Sequence, residues 1–436
     1  MKLIRSIFQN PVFKITSINS VSVLIRIVTG LVSTSVVAKI LGPSGVALLG
    51  NLRNFITSLE TVSVLGFNNG IVKYVAQYNK SEEDLRRIIS TVFWTLLGIS
   101  FLIAIPLFFF SDYWNTMIFG KEYDFSIVFR VTALTIPLFA LNIFLIAIIN
   151  GLSEFKKVIY INIVSNLLGF VFTVFMVLQF GIHGALLAMA FVPAILFVVS
   201  WFWISRSLDL KRYIKKGIYD STVVRNLSEY SLMAFVSAFC YPLICLKIRT
   251  NAIDAVGIEN AGNWEAMNRL ANFYMIFVST LLTVYFFPKL SQSESDKQTQ
   301  SVFVDYYKSV VPMFVAGGLI LYLLKDFFIA LIYSDRFLVL SDLFLWQLVG
   351  DFFKVCSLIL GYQFYAKKMT IAFLSTEVFS ITVLYFSSNY LMNTYGTEGL
   401  VMAHTVTYFV YFFILLIMFR KVVFLSKQYR KIDVKK

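Results

Sequence analysis

Long apolar segments alternate with short polar ones along nearly the whole chain. Each apolar segment is about 20–27 residues long, which lets a single α-helix cross roughly 30 Å of hydrocarbon. Glycine and proline stand at several joints between segments, as at Gly42-Pro43, Gly181 and Gly396. The pattern predicts an all-α polytopic membrane protein with about 12 transmembrane helices. The predicted spans are 15–41, 45–71, 87–110, 125–150, 158–180, 184–205, 228–251, 263–288, 303–324, 340–364, 370–392 and 397–419.

The composition agrees with a membrane protein and excludes an ordinary soluble domain. Hydrophobic residues make up 58% of the 436 positions and charged residues only 14%, whereas soluble domains carry about 25% charged residues. The cysteines show no metal-ligand spacing, and the two histidines are far apart in the sequence. No phosphate-binding loop or catalytic set of side chains stands out. We therefore predict that the protein is not an enzyme and binds no metal or cofactor.

Basic residues concentrate in alternate loops, in the stretch 206–227 and in the C-terminal tail. The opposite loops carry only Lys121, Lys325 and Arg336. Because basic loops are retained in the cytoplasm, both termini are predicted to be cytoplasmic. The same asymmetry accounts for most of the net charge of +14. Attraction of basic segments to anionic membrane lipids explains that charge, so no nucleic-acid partner is expected.

The longest internal polar stretch lies midway along the chain, with half of the predicted spans on either side of it. Paired halves of this kind are common among secondary transporters. We therefore predict an N-terminal lobe over 1–205, a basic cytoplasmic linker over 206–227, a C-terminal lobe over 228–419 and a basic cytoplasmic tail over 420–436.

Several basic residues lie inside predicted spans, where a lipid-facing helix would carry none. An isolated arginine at the bilayer centre costs about 2.5–3.5 kcal/mol on insertion scales, so such residues are expected to face protein or water. These cations are Arg26, Arg53, Lys247, Arg249 and Arg269.

Polar residues recur three or four positions apart around most of these cations, so each set shares one helix face. Such faces are expected to meet each other or water. The sets are Asn19, Ser22, Arg26, Thr29 and Ser33 in the first span; Arg53, Thr57 and Glu60 in the second; Glu265, Arg269 and Asn272 in the eighth; and Gln347, Asp351 and Lys354 in the tenth.

Two of these faces also carry acids at pairing distance, which leaves a purely structural interpretation open. Glu265 and Arg269 are four residues apart, and Asp351 and Lys354 are three apart. Each pair can neutralise itself while joining helices. For these residues, neutralisation and function both remain alternatives.

A surplus of cations remains after local pairing. Arg26 and Arg53 have no acid at helical spacing on the same face except Glu60, seven residues after Arg53. Lys247 and Arg249 have none within their span. The surplus predicts a water-filled internal cavity of positive potential, and hence an anionic cargo that is moved through the membrane.

Two stretches of the sequence resemble a known family. They are LGPSGVALLGNLRNFITSLETVSVLGFNNGIVKYVAQY (41–78) and DLFLWQLVGDFFKVCSLILGYQFYAKK (342–368). Both are similar to bacterial lipid-linked oligosaccharide flippases of the O-antigen translocase and enterobacterial common antigen type. These proteins belong to the multidrug/oligosaccharidyl-lipid/polysaccharide exporter superfamily, and the similarity extends from the first predicted span to the last.

The resemblance implies a fold and a set of site residues. The fold is a pair of six-helix lobes arranged as a V, as in multidrug exporters of the superfamily, in the bacterial inner membrane. In these flippases, intramembrane cations line a central cavity and contact a pyrophosphate. Arg53 and Lys73 lie in the first matching stretch, and Arg249 follows Pro242 at a matching position. Arg269 has no counterpart in the family pattern, and snorkelling to the membrane interface also explains Lys73.

The resemblance also implies a function: transfer of undecaprenyl-pyrophosphate-linked oligosaccharide units from the cytoplasmic to the periplasmic leaflet by alternating access. We expect membrane lipids and the polysaccharide polymerase machinery as further partners. No ATP-binding motif is present, so transport is expected to be driven by the membrane potential or by proton or sodium coupling. The candidate carriers of a coupling ion are Asp351, Glu60 and Glu265.

Three other functions remain open at this point. A multidrug/cation antiporter with the same fold would need an acidic or apolar cavity, which the surplus of arginine and lysine disfavours. A peptidoglycan lipid-precursor flippase would use the same chemistry on another cargo. A membrane scaffold without transport activity would not depend on Arg53 or Arg249.

Overall fold

The computed structural model describes residues 11–78, 81–206, 210–215 and 217–424. Every regular element in these ranges is a helix, so the predicted all-α class is confirmed. Part of the predicted linker and most of the predicted tail lie outside the described residues, as does the side chain of Asn19.

The helices form two compact units. The first comprises Met1–Leu41 and Leu48–Leu246, and the second comprises Gly42–Ala47 and Lys247–Lys436. The boundaries fall inside two helices rather than in the polar stretch 206–227. The predicted division into lobe, linker, lobe and tail stays a prediction.

The first unit is built from the N-terminal half of the helices, of which the first and last extend into the second unit. The helices are α1 (Pro11–Val64), α2 (Asn68–Tyr78), α3 (Glu82–Phe109), α4 (Ser111–Phe119), α5 (Ser126–Gly151), α6 (Phe155–Ser205), α7 (Leu210–Tyr213) and α8 (Ser221–Val256).

The second unit contains the remaining helices, with one π-helical turn and one 3₁₀ turn between them. They are α9 (Ile258–Leu281), the π-helical turn Leu282–Phe286, α10 (Phe287–Gln292), α11 (Asp296–Leu323), α12 (Lys325–Ile332), the 3₁₀ turn Asp335–Phe337, α13 (Leu340–Ala366), α14 (Thr370–Met418) and α15 (Arg420–Val423).

Three long helices are interrupted at the glycines that were predicted as joints. The backbone at Gly42, Gly181 and Gly396 has φ of 69°, 54° and 60°, with ψ of −174°, −129° and −135°. Only glycine adopts such angles without steric cost. Each of α1, α6 and α14 is thereby divided into two apolar segments, as the sequence pattern predicts.

Within the described residues, eight helices are long and apolar enough to cross a membrane. Since α1, α6 and α14 each hold two predicted spans, this number does not fix the number of crossings. The prediction of about 12 transmembrane helices stays a prediction.

The predicted second span, 45–71, is too long. Helix α1 ends at Val64, and the chain turns through Leu65 and Gly66, whose φ angles are 51° and 66°. Left-handed backbone of this kind cannot continue an α-helix. The residues beyond the turn form α2, which therefore carries Lys73 on a separate short helix.

The core of the first unit holds α2 in place. Ile71 from α2, Val92 from α3 and Ile148 from α5 are fully buried in one apolar cluster. The helices pack closely enough that a Cβ atom on Gly151 would lie 2.6 Å from the Cβ of Val75. Lys73 is thus presented from a helix that is packed on one face and exposed on the other.

The second unit contains a close approach between the joint of α1 and the start of α9. A Cβ atom on the buried Gly262 would lie 1.9 Å from the carbonyl oxygen of Pro43. The neighbouring atom belongs to the backbone, so it cannot move aside as a flexible side chain would. Gly262 therefore allows the segment Gly42–Ala47 to pack against the helix that carries Glu265 and Arg269.

We expect Gly262→Ala to destabilise the protein by about 1–3 kcal/mol or more, because the added methyl group overpacks this contact. The measurement is the melting temperature of the purified full-length protein in detergent. Gly317→Ala is the matched control, since its added Cβ would meet nothing within 4 Å. Equal melting temperatures for the two variants would contradict the expectation.

Candidate functional site

One buried cluster joins two arginines through a single glutamate. Arg249 on α8 is 1% exposed, and Glu265 and Arg269 on α9 are 6% and 7% exposed. Arg249 Nη2 donates a hydrogen bond to Glu265 Oε2, and Arg269 Nε donates to Glu265 Oε1 over 3.3 Å. We call these three side chains the arginine cluster.

The arginine cluster confirms one predicted pair and corrects a second expectation. Glu265 and Arg269 form the expected i,i+4 ion pair. The expectation that Arg249 escapes pairing is wrong, because the same glutamate also binds it. Its partner comes from the next helix along the chain, which spacing within the span of Arg249 cannot reveal.

The arginine cluster keeps a positive charge after this pairing. Two guanidinium groups and one carboxylate sum to one positive charge. Arg269 Nη2 is buried and has no hydrogen-bond partner among the described residues. The Cζ atom of Arg249 lies 5.4 Å from the centre of the Trp264 ring, a distance at which the guanidinium makes a cation–π contact. A buried donor beside a net positive charge is suited to an anionic oxygen.

Lys247 lies outside the arginine cluster. It precedes Arg249 by two residues on α8, and its side chain is exposed whereas that of Arg249 is buried. Residues two apart on a helix point in different directions. Lys247 and Arg249 are two residues apart in the sequence and therefore lie in different surroundings.

The predicted site residues of the first unit lie on α1 and α2. Arg26 and Lys73 are exposed, whereas Arg53 and Glu60 are half-buried. Lys73 Nζ lies 5.7 Å from the ring centre of Tyr74. The roles of these residues, and the prediction that they line one cavity with the cations of α8 and α9, stay predictions.

One hydroxyl group of the predicted polar faces bonds to its own helix. Thr29 Oγ1 donates to the carbonyl oxygen of Ile25 over 2.7 Å. Such a bond satisfies a hydroxyl without any ligand. Thr29 therefore adds little to the argument for a water-facing helix side, which depends on the charged residues.

A second buried cluster surrounds Asp351 on α13. Its Oδ1 atom lies 3.0 Å from His404 Nε2, and its Oδ2 atom accepts hydrogen bonds from Gln347 Nε2 over 3.0 Å and from the Tyr274 hydroxyl. The side chains come from α9, α13 and α14. We call these four residues the aspartate cluster.

The interpretation of Asp351 and Lys354 as a self-neutralising pair stays a prediction. Asp351 is hydrogen-bonded within the aspartate cluster, and Lys354 Nζ lies 5.1 Å from the ring centre of Tyr408. Residues three apart on a helix can pair, and the charge of Lys354 also acts on the Asp351 carboxylate. The structure adds partners from neighbouring helices that spacing along α13 cannot reveal.

His404 is the residue that the sequence analysis missed. Two histidines that are far apart in the sequence suggest no metal site. A different signal was present, since a histidine inside a predicted span is expensive unless it has a polar partner. Helices α13 and α14 approach closely at this point, because a Cβ atom on Gly350 would lie 2.5 Å from His404 Cδ2.

A cavity of about 920 Å³ in the first unit lies apart from the predicted site residues. Its acids and bases pair with each other: Arg86 contacts Glu82 at 2.9 Å, and Arg87 contacts Asp220 at 3.7 Å. A hydrogen bond from the Thr222 side chain lowers the pKa of Asp220 below its usual value. We assign no function to this cavity.

Comparisons with known proteins identify the family of the chain. The model of the polysaccharide biosynthesis protein family matches residues 12–294. A lipid III flippase from Escherichia coli (strain K12) is 30% identical over 392 residues, which cover 90% of this chain and 94% of that protein.

Two solved structures share the fold. An inward-facing multidrug resistance MATE family transporter of the MOP superfamily superposes with a TM-score of 0.75 at 14% identity, covering 92% of this chain and 98% of that one. The lipid II flippase MurJ in an inward closed conformation gives a TM-score of 0.71 at 15% identity, covering 93% and 89%. At such identities the likeness concerns the fold alone.

The family resemblance of the two sequence stretches is thereby confirmed, and the relatives are transport proteins rather than catalysts. The chain belongs to the polysaccharide biosynthesis protein family, as a multi-pass membrane transport protein and not an enzyme.

Proposed function

We propose that this protein transfers an undecaprenyl-pyrophosphate-linked oligosaccharide from the cytoplasmic to the periplasmic leaflet of the bacterial inner membrane by alternating access. The relationship to a lipid III flippase over nearly the whole chain supports a lipid-linked cargo. The observation that carries the proposal is the arginine cluster, whose two buried guanidinium groups share one carboxylate.

The head group of such a cargo determines what the protein must supply. A pyrophosphate with about two negative charges cannot enter hydrocarbon, because unpaired buried ions cost tens of kcal/mol in a medium of low polarity. Guanidinium groups offer forked donors that match phosphate oxygens. The lipid tail stays in the bilayer throughout, so only the head group needs a hydrated, positively charged path.

In this proposal Glu265 is the resident counter-ion of the arginine cluster. Without cargo, it compensates part of the charge of Arg249 and Arg269 and keeps both side chains in place. When the pyrophosphate arrives, Arg269 Nη2 offers a donor that no other described residue uses. Glu265 is bonded to both arginines, so we assign it a positioning role and not the transport of a coupling ion.

The remaining predicted cations have supporting roles in the proposal. Arg53 and Lys73 are proposed to contact the pyrophosphate on the basis of the family pattern, and Arg26 and Lys247 to extend the positive potential. The membrane potential supplies a driving force, because moving one charge through 100 mV is worth about 2.3 kcal/mol. Two uncompensated negative charges would gain roughly 4–5 kcal/mol on leaving a negative interior.

Two rival cargoes share the fold. Cationic drugs are disfavoured, because the described arginine cluster repels cations and fold likeness at 14% identity does not transfer a substrate. Peptidoglycan lipid precursors carry the same pyrophosphate, so genetics distinguishes them from surface-polysaccharide units. Export of cationic dyes on overexpression would favour the first rival, and cell lysis on depletion with an intact surface glycan would favour the second.

Deletion of the gene is expected to remove a surface polysaccharide and to cause undecaprenyl-linked repeat units to build up on the inner leaflet, because their synthesis continues without transfer. The measurement is mass spectrometry of extracted lipid-linked intermediates, together with staining of the surface glycan. Restoration by the intact gene is the control. Normal intermediates and an intact glycan in the deletion strain would refute the proposed function.

Arg249→Ala and Arg269→Ala are expected to weaken the transfer of lipid-linked units roughly 10- to 150-fold, since each loses a charged hydrogen bond worth about 1.5–3 kcal/mol. The measurement is the amount of surface glycan in the complemented deletion strain at equal levels of membrane protein. Arg420→Ala is the matched control, because that guanidinium is exposed at the start of α15.

Arg249→Lys separates folding from recognition. It keeps the charge beside Glu265 but loses the forked geometry, so we expect normal amounts of protein in the membrane and reduced transfer. Full transfer by Arg249→Ala and Arg269→Ala would exclude the arginine cluster from pyrophosphate binding.

A further inference from the structure

One ring nitrogen of His404, in the aspartate cluster, can accept a further proton. Asp351 is fully buried and His404 is 7% exposed. To donate to Asp351 Oδ1 at 3.0 Å, the His404 ring must carry its hydrogen on Nε2. The neutral ring then has a lone pair on Nδ1, and a proton added there turns it into an imidazolium beside a carboxylate.

Sodium does not suit the same place. A sodium ion needs several oxygen atoms whose lone pairs point at it, as hard cations do in general. Both oxygens of Asp351 instead accept hydrogen bonds, from the ring of His404, the amide of Gln347 and the hydroxyl of Tyr274. A carboxylate surrounded by donors can gain or lose a proton nearby without rearranging its ligands.

The net charge of the pair depends on the proton count of His404. With a neutral His404, the single charge of Asp351 is opposed by Lys354, one turn away on α13. With a charged His404, the pair neutralises itself. Two phenols also face the cluster: Tyr274 from α9, and Tyr408 from α14, whose ring centre lies 4.7 Å from that of His404.

Helix α11 contacts α13 and α9 through aromatic side chains. Its phenols Tyr306 and Tyr307 donate to the carbonyl oxygens of Val355 and Cys356, about one turn further along α13. The ring centre of its Phe314 lies 6.2 Å from that of Tyr274. The charges described at the pair itself are those of His404, Asp351 and Lys354.

The cluster is linked to the arginine cluster through one helix. Helix α9 carries Glu265 and Arg269 in its first half and Tyr274 in its second half. Arg269 and Tyr274 are five residues apart, or about 7.5 Å along the axis. The π-helical turn Leu282–Phe286 follows directly, and such turns change the helical geometry locally and are frequent at functional sites.

We infer that His404 and Asp351 form a proton-binding site, and that the Tyr274 hydroxyl passes its state to the helix that bears the arginine cluster. One proton binds to His404 Nδ1 from the aqueous phase on one side of the membrane and leaves that atom to the aqueous phase on the other side. Only the N–H bond forms and breaks. The proton-binding site does not depend on the proposed function, whereas its coupling to transport rests on it.

Proton binding can be measured directly, because the chain contains only two histidines. His183→Gln leaves His404 as the only ring, and His183 is exposed against Phe125 in the first unit. In the full-length variant, labelled with ¹⁵N-histidine in lipid nanodiscs, we expect the ring nitrogens to report uptake of one proton as the pH is lowered.

Asp351→Asn supplies the contrast. Removing the carboxylate disfavours the imidazolium, so proton uptake is expected to require a lower pH. A His404 ring that stays in one protonation state from pH 5 to 9, or a midpoint that is unchanged by Asp351→Asn, would overturn the proton-binding site.

Coupling is tested with Tyr274→Phe, which removes only the hydroxyl. In proteoliposomes with a labelled undecaprenyl-pyrophosphate oligosaccharide, we expect the His183→Gln protein to transfer faster under an imposed pH gradient. Tyr274→Phe should keep the histidine titration but lose that acceleration. Acceleration that persists in Tyr274→Phe would overturn the coupling role. Absence of any transfer by the unmutated protein would instead count against the proposed function. The histidine titration tests the proton-binding site independently of that result.

Discussion

Charge placed inside a bundle that hydrocarbon surrounds must be compensated by the protein itself, and this requirement organises the interior of the second unit. The guanidinium groups of Arg249 and Arg269 cannot reach bulk water, because both side chains are almost completely buried. Glu265 compensates one of them and leaves the other in excess. Breaking such a buried arrangement costs several kcal/mol, so a positive charge that persists inside it is a feature of the native fold.

Helix α9 connects most of the polar interior that the structure describes in this unit. Gly262 near its start lets the backbone of Pro43 approach. The Tyr333 hydroxyl donates to the carbonyl oxygen of Ala266 over 2.8 Å and anchors its middle. Arg269 of the arginine cluster and Tyr274 of the aspartate cluster lie on successive turns of α9, and a π-helical turn follows them. A shift or rotation of this one helix therefore changes the surroundings of both charged groups at once.

The same fold carries different cargoes in different proteins, since fold alone does not determine function. This chain superposes on a multidrug transporter and on a lipid II flippase with similar TM-scores. In this chain, the charge that bears on the choice of cargo is the positive charge of the arginine cluster. Buried arginines attract an anionic head group electrostatically and match the geometry of its oxygens. Their positive charge repels a cationic drug. The cargo proposal therefore depends on the arginine cluster more than on the architecture.

The helical class, the membrane environment, the glycine joints and the family could all be predicted from the amino-acid sequence. These follow from local properties: the length of apolar segments, the backbone freedom of glycine, and two stretches that match a family pattern. The sequence also predicted pairing of Glu265 with Arg269 as one alternative, because residues four apart lie about one turn apart on a helix. The packing of the helices was needed to show that Arg249 shares Glu265, that His404 contacts Asp351, and that Lys247 is exposed whereas Arg249 is buried. Each of these depends on how neighbouring helices are rotated about their axes, and a rotation of tens of degrees exchanges one partner for another without changing the hydrophobic pattern along the chain.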